Sequence, residues 1–126
     1  MRKMIQIGGA ELELCSNAAV PLYYKRVFNG DDLLGHFNRV ESGEERTEVQ
    51  FRLLFIEAML ARGLSTGEMI KLREVDYIDW LTQFDYLAAL EGAQEALSCF
   101  LGEDSAGEDT GEEDTPKNAQ EEQSAV

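Results

Sequence analysis

Three aspartates and one histidine are the side chains of this sequence whose types and spacing could support acid–base chemistry. Asp76, Asp79 and Asp85 lie close together along the chain, and His36 is the single histidine. Each aspartate stands near the predicted start of a helix, where a carboxylate caps free backbone N–H groups. His36 has no serine or cysteine partner at a recognised motif spacing. The pattern therefore indicates helix caps and a surface or half-buried histidine rather than catalytic residues.

Metal and phosphate sites find no better support in the sequence. The two cysteines, Cys15 and Cys99, form no Cys-x-x-Cys pair, and His36 has no cysteine near it, whereas zinc sites need clustered ligands. Gly8 and Gly9 are not part of a Gly-x-x-x-x-Gly-Lys phosphate loop. We predict no catalytic, cofactor-binding or metal-binding residue, no cofactor and no enzymatic activity. We also expect both cysteines to be reduced, as in a cytoplasmic protein.

The charge of the chain restricts its partners. Acidic residues outnumber basic residues by 25 to 11, and the formal net charge is −14. Nucleic acids and anionic membranes both select clustered lysine and arginine, and no apolar run reaches the roughly 18 residues that span a bilayer. Neither is therefore an expected partner. The segment from Tyr23 to Arg26 contains two basic residues, which are too few to offset the negative charge of the chain. We interpret it as one core tyrosine and two solvated cations.

The densest aromatic cluster lies between residues 77 and 86, and three of its members recur at helical spacing: Tyr77, Trp80 and Phe84. Two interpretations stay open. The three side chains pack into the core, or they form a partner-binding surface, because exposed tryptophan and tyrosine are favoured anchors. They are the predicted partner-binding residues of this chain.

The elements that position these residues begin with a predicted β-hairpin over about residues 4–14. Apolar and polar residues alternate on both sides of Gly8-Gly9, a pair that tolerates the positive φ of a two-residue turn. Pairing across this turn places Ile5 opposite Leu12. One face of the ribbon is apolar and needs a cover of helices, because a lone hairpin is marginal.

Helices are predicted for the rest of the folded part. Start signals occur at Pro21, Asn29, Ser42, Ser65, Asp76 and Asp85. Ser42 with Glu45 and Ser65 with Glu68 match the Ser-x-x-Glu pattern of a capping box. The segment after Ser42 carries two adjacent apolar stripes, which predicts a central helix ending at Gly63: Val49, Leu53, Ile56 and Leu60, and Phe51, Phe55 and Met59. A short helix through Leu72 is expected next. The last helix is predicted to present one apolar face, with Gly92 weakening it by about 1 kcal/mol relative to alanine: Leu87, Leu90, Leu97, Phe100 and Leu101.

These signals predict a mainly α domain with a small N-terminal β-hairpin, an α+β arrangement, over residues 1–102. Residues 103–126 contain nine acidic residues, one lysine and hardly any apolar side chains. A segment of that composition cannot bury enough surface to offset its ordering entropy. We therefore predict a compact helical domain followed by a disordered acidic C-terminal tail.

Four strings of this sequence carry a resemblance to a known family. They read MIQIGGAELEL at 4–14, AAVPLYYKRVF at 18–28, DLL at 32–34 and DYIDWLTQFD at 76–85. The layout resembles the tail assembly chaperones of long-tailed phages and prophages of Gram-positive bacteria, over roughly residues 4–101. The shared motifs are packing and capping patterns rather than chemistry.

The resemblance implies a binding protein without cofactor or catalysis. Members of the family bind the tape measure protein and keep it soluble until the tail tube polymerises around it. Some also contact tail-tube protein through a longer product made by ribosomal frameshifting. The resemblance further implies a location in the host bacterial cytoplasm and absence from the mature virion.

An alternative interpretation is a small acidic regulator, such as a DNA mimic that inhibits a nucleic-acid-binding protein. Mimicry needs acids arranged on a folded surface, whereas nine of the 25 acids lie in the tail and several others are predicted caps. The chaperone interpretation is therefore favoured. The sequence leaves self-association open.

Overall fold

A computed structural model describes residues 1–39 and 43–102 of the chain. Within these residues the fold is mainly helical, with one N-terminal β-hairpin, as the sequence predicts. The elements are β1 (Arg2–Ile7), β2 (Ala10–Cys15), α1 (Val20–Val27), α2 (Leu33–Arg39), α3 (Gly43–Ala61), α4 (Thr66–Met69), α5 (Glu74–Leu81) and α6 (Tyr86–Leu101). The capping box predicted at Ser42 and the tail predicted over 103–126 lie outside the described residues.

The hairpin has the predicted register. Ile5 pairs with Leu12, and the antiparallel ladder runs from Arg2 opposite Cys15 to the turn. Gly8 and Gly9 have φ values of +60° and +84°, as a primed two-residue turn requires. The inner face of the ribbon is buried against the helices, so the hairpin is one wall of the core.

α3 is the central helix of the fold, as its two apolar stripes predict. It packs against β2, α1, α2, α5 and α6. Leu54 and Ala58 are buried as well as five of the seven predicted stripe residues, whereas Phe51 and Leu60 are half-buried, so α3 is covered on most sides. A helix surrounded in this way needs apolar side chains all round rather than on a single stripe.

The buried face of α6 differs from the prediction. Small residues are buried, whereas Leu87 and Leu101 are exposed; the buried set is Ala88, Ala89, Gly92, Ala93, Ala96 and Cys99. A Cβ added at Gly92 would lie 2.8 Å from Cδ1 of Ile7. The hairpin therefore approaches the backbone of α6 so closely that only small side chains fit between them.

Two predicted helix caps are shifted along the chain. Asn29 does not begin α2; it follows α1 with φ +58°, and the N–H of Gly30 donates to the carbonyl of Lys25 at 2.8 Å, which closes the C-terminus of α1. Asp32 caps α2 by accepting from the N–H of Gly35 at 3.1 Å. Asparagine tolerates the left-handed conformation that ends many helices. An asparagine in a sequence is therefore compatible with the end of one helix as well as with the start of the next.

Asp76 is also not an N-cap. α5 begins earlier, with Arg73 as N-cap, and the Asp76 carboxylate reaches back to accept from the N–H of Arg73 at 2.8 Å. An acid at the third helical position bonds backwards in this way in capping boxes. The box at Ser65 and Glu68 is confirmed in full, although α4 ends at Met69 rather than Leu72.

Asp85 is the N-cap of α6, and its removal provides a direct test of the capping assignments. Its carboxylate accepts from the N–H of Ala88 at 2.8 Å. We expect Asp85→Ala to lower the free energy of unfolding by about 1 kcal/mol, or roughly 4–8 °C in Tm. Asp79→Ala is the matched control, because Asp79 is exposed and late in α5. Equal losses from both variants in thermal unfolding would contradict the assignment.

Candidate binding surfaces

The predicted partner-binding residues lie mainly in the core. Tyr77 is 3% exposed and Trp80 is 8% exposed, while Phe84 is half-buried. The ring centroid of Phe55 lies 5.7 Å from that of Tyr77 and 5.6 Å from that of Trp80, and the Trp80 and Phe84 rings are 5.0 Å apart. For Tyr77 and Trp80 the core interpretation therefore replaces the surface interpretation, because these side chains offer almost no area to a partner.

The acid–base candidates are not arranged as a catalytic set. The carboxylates of Asp76 and Asp85 bond to backbone N–H groups at two different helix starts. His36 is half-buried in α2, and its Nδ1 has no hydrogen-bond partner. The segment from Tyr23 to Arg26 contains a buried Tyr24 and two exposed cations, as predicted.

An apolar groove lies between α2, α3 and the C-terminal end of α6, with a volume of about 220 Å³. We call it the helix groove. Its lining is Leu33, Leu34, Phe37, Asn38, Val49, Gln50, Leu53, Leu97, Phe100 and Leu101. Leu34 is 52% exposed and Leu101 is 56% exposed at its edge. The groove therefore presents aliphatic and aromatic surface to solvent, with two amides as its polar groups.

A second apolar surface surrounds Phe51 of α3 and Tyr86 of α6. The two rings meet edge to face with centroids 5.8 Å apart. One open hollow lies on the side of α5, and another lies on the side of the first turns of α3. We call the pair of rings the aromatic ridge.

Arg52 is a charged residue that sequence reasoning missed. It is buried on α3, and its guanidinium lies over the Phe28 ring at 4.6 Å. It pairs with three carboxylates from different parts of the chain: Asp31 at 2.9 Å, Glu74 at 3.4 Å and Glu48 at 3.8 Å. Burial disfavours its charge, but hydrogen bonds to Tyr24 and Asp31 more than offset this and raise the pKa of Arg52. The residue ties α3 to the α1–α2 loop and to α5, a structural role.

Glu57 is a second buried ionisable residue of α3. It is fully buried, and neither carboxyl oxygen has a hydrogen-bond partner. Burial raises the pKa of Glu57 to about 9, because the nearby Cys99 thiol, N-terminal amine and Lys3 offset the loss of solvation only in part. Burial and then the Glu57 carboxyl raise the pKa of Cys99 to about 12. Both groups are therefore neutral at pH 7, and Cys99 is a poor nucleophile.

Helical periodicity carried a signal for the burial of Glu57 and for one of the three carboxylate partners of Arg52. Glu57 stands four residues after Leu53 and so falls on the predicted apolar stripe. The i,i+4 spacing of Glu48 and Arg52 indicates one local ion pair. The other two carboxylates come from distant segments and leave no local pattern.

Residues 1–39 and 43–102 contain neither a metal-ligand cluster nor a membrane-spanning helix. No group of three histidine, cysteine or acidic side chains there could hold a metal ion. No described helix has both the length and the apolar character needed to cross a membrane. Cys15 and Cys99 are both free cysteines. Comparisons with protein-family models, curated proteins and solved structures found no match to this chain.

Proposed function

We propose that this protein is a phage tail assembly chaperone that binds the tape measure protein and keeps it soluble until the tail tube polymerises around it. The helix groove is the observation that carries the proposal. It supplies solvent-accessible apolar surface on an otherwise acidic chain. The resemblance of residues 4–101 to that family supplies the identity of the client.

The groove has the chemistry that an amphipathic helix requires. Such helices bind by laying an apolar stripe into a hydrophobic groove. Leu34 and Leu101 lie at the edge, where they can cover the flanks of a client side chain inserted between α2 and α6. Burial of apolar surface contributes roughly 25 cal/mol per Å², so a few anchored side chains stabilise the complex.

The net charge of −14 suits a carrier of an apolar client. Complexes that carry the same sign of charge repel one another, which favours solubility. In this proposal the protein is not an enzyme and uses no cofactor. It acts in the host bacterial cytoplasm and is absent from the mature virion, and a frameshifted longer product adds contact with tail-tube protein.

Co-expression with the cognate tape measure protein tests the proposal. We expect the wild-type chain to raise the soluble fraction of the client and to form a complex on size exclusion. Leu34→Asp and Leu101→Asp should weaken the complex at least about tenfold, because each places a charge against apolar client surface. Val75→Asp is the matched control, since Val75 is similarly exposed but lies outside the helix groove.

The salt dependence of the same complex is a second test of the proposal. Apolar contacts should survive moderate salt, whereas binding led by exposed charges is screened within about 8 Å at physiological ionic strength. Equal client solubility with and without this chain, and no complex, would refute the chaperone proposal. Co-purification with a DNA-binding protein instead would favour the acidic-regulator alternative.

A further inference from the structure

The aromatic ridge separates two hollows of different chemistry. Phe51 and Tyr86 line both of them. Tyr86 is 63% exposed, so its ring forms a wall that a ligand can reach from either side. A large exposed tyrosine beside a phenylalanine is the kind of rigid anchor that protein interfaces use.

The hollow toward α5 is apolar. Its volume is about 290 Å³, and its lining besides the ridge is Ile78, Leu81, Thr82, Phe84 and Ala89. Ile78 is exposed, whereas Leu81 and Phe84 are half-buried and pack against the core. The hollow therefore has a firm base and room for a large aliphatic side chain.

The hollow toward the start of α3 is acidic. Its volume is about 490 Å³, and its lining besides the ridge is Glu45, Thr47, Glu48 and Tyr77. Glu45 and Glu48 are both exposed. Glu48 also forms an i,i+4 ion pair with Arg52 at 3.8 Å, and its side chain remains 53% exposed. A cation here would meet two exposed carboxylates and two aromatic rings, in addition to the partners that both carboxylates already have within the chain.

The chain itself uses this combination of aromatic ring and cation. The guanidinium of Arg46 lies 4.5 Å from the centroid of Phe37, and that of Arg52 lies 4.6 Å from the centroid of Phe28. Cations within about 6 Å of a ring face are attracted by its quadrupole. An incoming lysine or arginine at the ridge would make the same contact with neighbouring carboxylates added.

We propose that the aromatic ridge is a docking surface for a segment of another protein that carries a large aliphatic side chain and a nearby lysine or arginine. The aliphatic side chain occupies the apolar hollow, and the cation lies over the ridge against Glu45 and Glu48. The charge argues for a different protein rather than a second copy, because a second copy brings its own net charge of −14. The acidic lining likewise excludes nucleic acid.

This surface is separate from the helix groove and does not depend on the proposed function. The groove uses the last turns of α6, around Leu97 and Leu101, whereas the ridge uses its first turn. Tyr86 and Leu101 are 15 residues apart, which is roughly 22 Å along a helix. Substitutions at one site can therefore be made without touching the other.

Calorimetric titration with a synthetic 18-residue peptide tests the proposal. The probe is an amphipathic helix with a leucine stripe flanked by lysines, and the comparison peptide has glutamate at every lysine position. All titrations use the full chain carrying Leu34→Asp, which is expected to weaken any binding in the helix groove. We expect saturable binding of the lysine peptide and at least about tenfold weaker binding of the glutamate peptide, since like charges meet at the acidic hollow.

Substitutions at the ridge then locate the site. Tyr86→Ala should weaken the lysine peptide about tenfold, through lost cation–π and apolar contact. Glu45→Gln should weaken it about threefold and reduce its salt dependence. Leu22→Ala is the control, because Leu22 is exposed on α1 outside both hollows. The proposal is overturned by an absence of binding, by equal affinity for both peptides, or by unchanged affinity in Tyr86→Ala with the fold intact by circular dichroism.

Discussion

Ile5→Asp is expected to lower the free energy of unfolding by about 4 kcal/mol, because it places an unpaired carboxylate inside the core. Ile5 is 5% exposed on the inner face of the hairpin, among the buried residues of the main hydrophobic cluster. Small domains have only about 5–15 kcal/mol of stability in total. The variant should therefore unfold at least about 15 °C below the wild type in a thermal melt.

The neighbouring residue supplies the control for this variant. Met4 is 57% exposed on the opposite face of the same strand. Met4→Asp introduces the same charge one residue away, and we expect a change within about 1 kcal/mol. If Ile5→Asp instead kept a near-wild-type midpoint in urea, the hairpin would be peripheral to the stability of the domain.

Glu57→Gln is expected to stabilise the protein increasingly as the pH rises. In the unfolded chain Glu57 ionises near its ordinary value of 4.5, whereas burial holds the folded pKa near 9. Between these values the unfolded chain binds fewer protons than the folded protein, so the contribution of Glu57 is full below about pH 4.5 and falls as the pH rises. The stability gap between variant and wild type should grow by up to about 1.4 kcal/mol per pH unit.

Denaturant titrations at pH 5, 6, 7 and 8 measure this gap directly. Glu91→Gln is the matched control, because Glu91 lies on the exposed side of α6. Its profile should run parallel to that of the wild type, while the Glu57→Gln profile diverges upward. Parallel profiles for all three proteins would show that the Glu57 carboxyl gains its charge in the folded state, and would contradict the assignment of a neutral buried acid.

Features governed by neighbouring residues were predictable from the sequence. The register of the hairpin follows from alternation around Gly8-Gly9, and both glycines adopt the positive φ that the turn demands. The box at Ser65 and Glu68 forms as predicted. Five of the seven stripe residues of α3 are buried because helical periodicity places their side chains toward the elements that surround the helix. Each of these signals acts over a few residues.

Predictions that ranked residues by hydrophobicity were less successful. The α6 leucines at 87 and 101 are exposed, and Gly92 with its neighbouring alanines is buried, because Ile7 of the hairpin lies against that face. Tyr77 and Trp80 proved to be core residues for a similar reason. Helical spacing puts them on one face, but only the position of Phe55 on α3 determines that the face points inward.

The sequence by itself determined which segments form the hairpin and the helices, the turn geometry and the central place of α3, because backbone conformation and periodicity depend on residues near one another along the chain. The tertiary structure decided which residues carry unusual chemistry and which surfaces remain open. Arg52 gains carboxylates from two distant segments, Asp31 and Glu74, and Glu57 loses solvent because hairpin and helices enclose it. The helix groove likewise joins side chains as far apart in sequence as Leu33 and Leu101. Such proximity depends on close packing between distant segments, which leaves no mark in a local pattern.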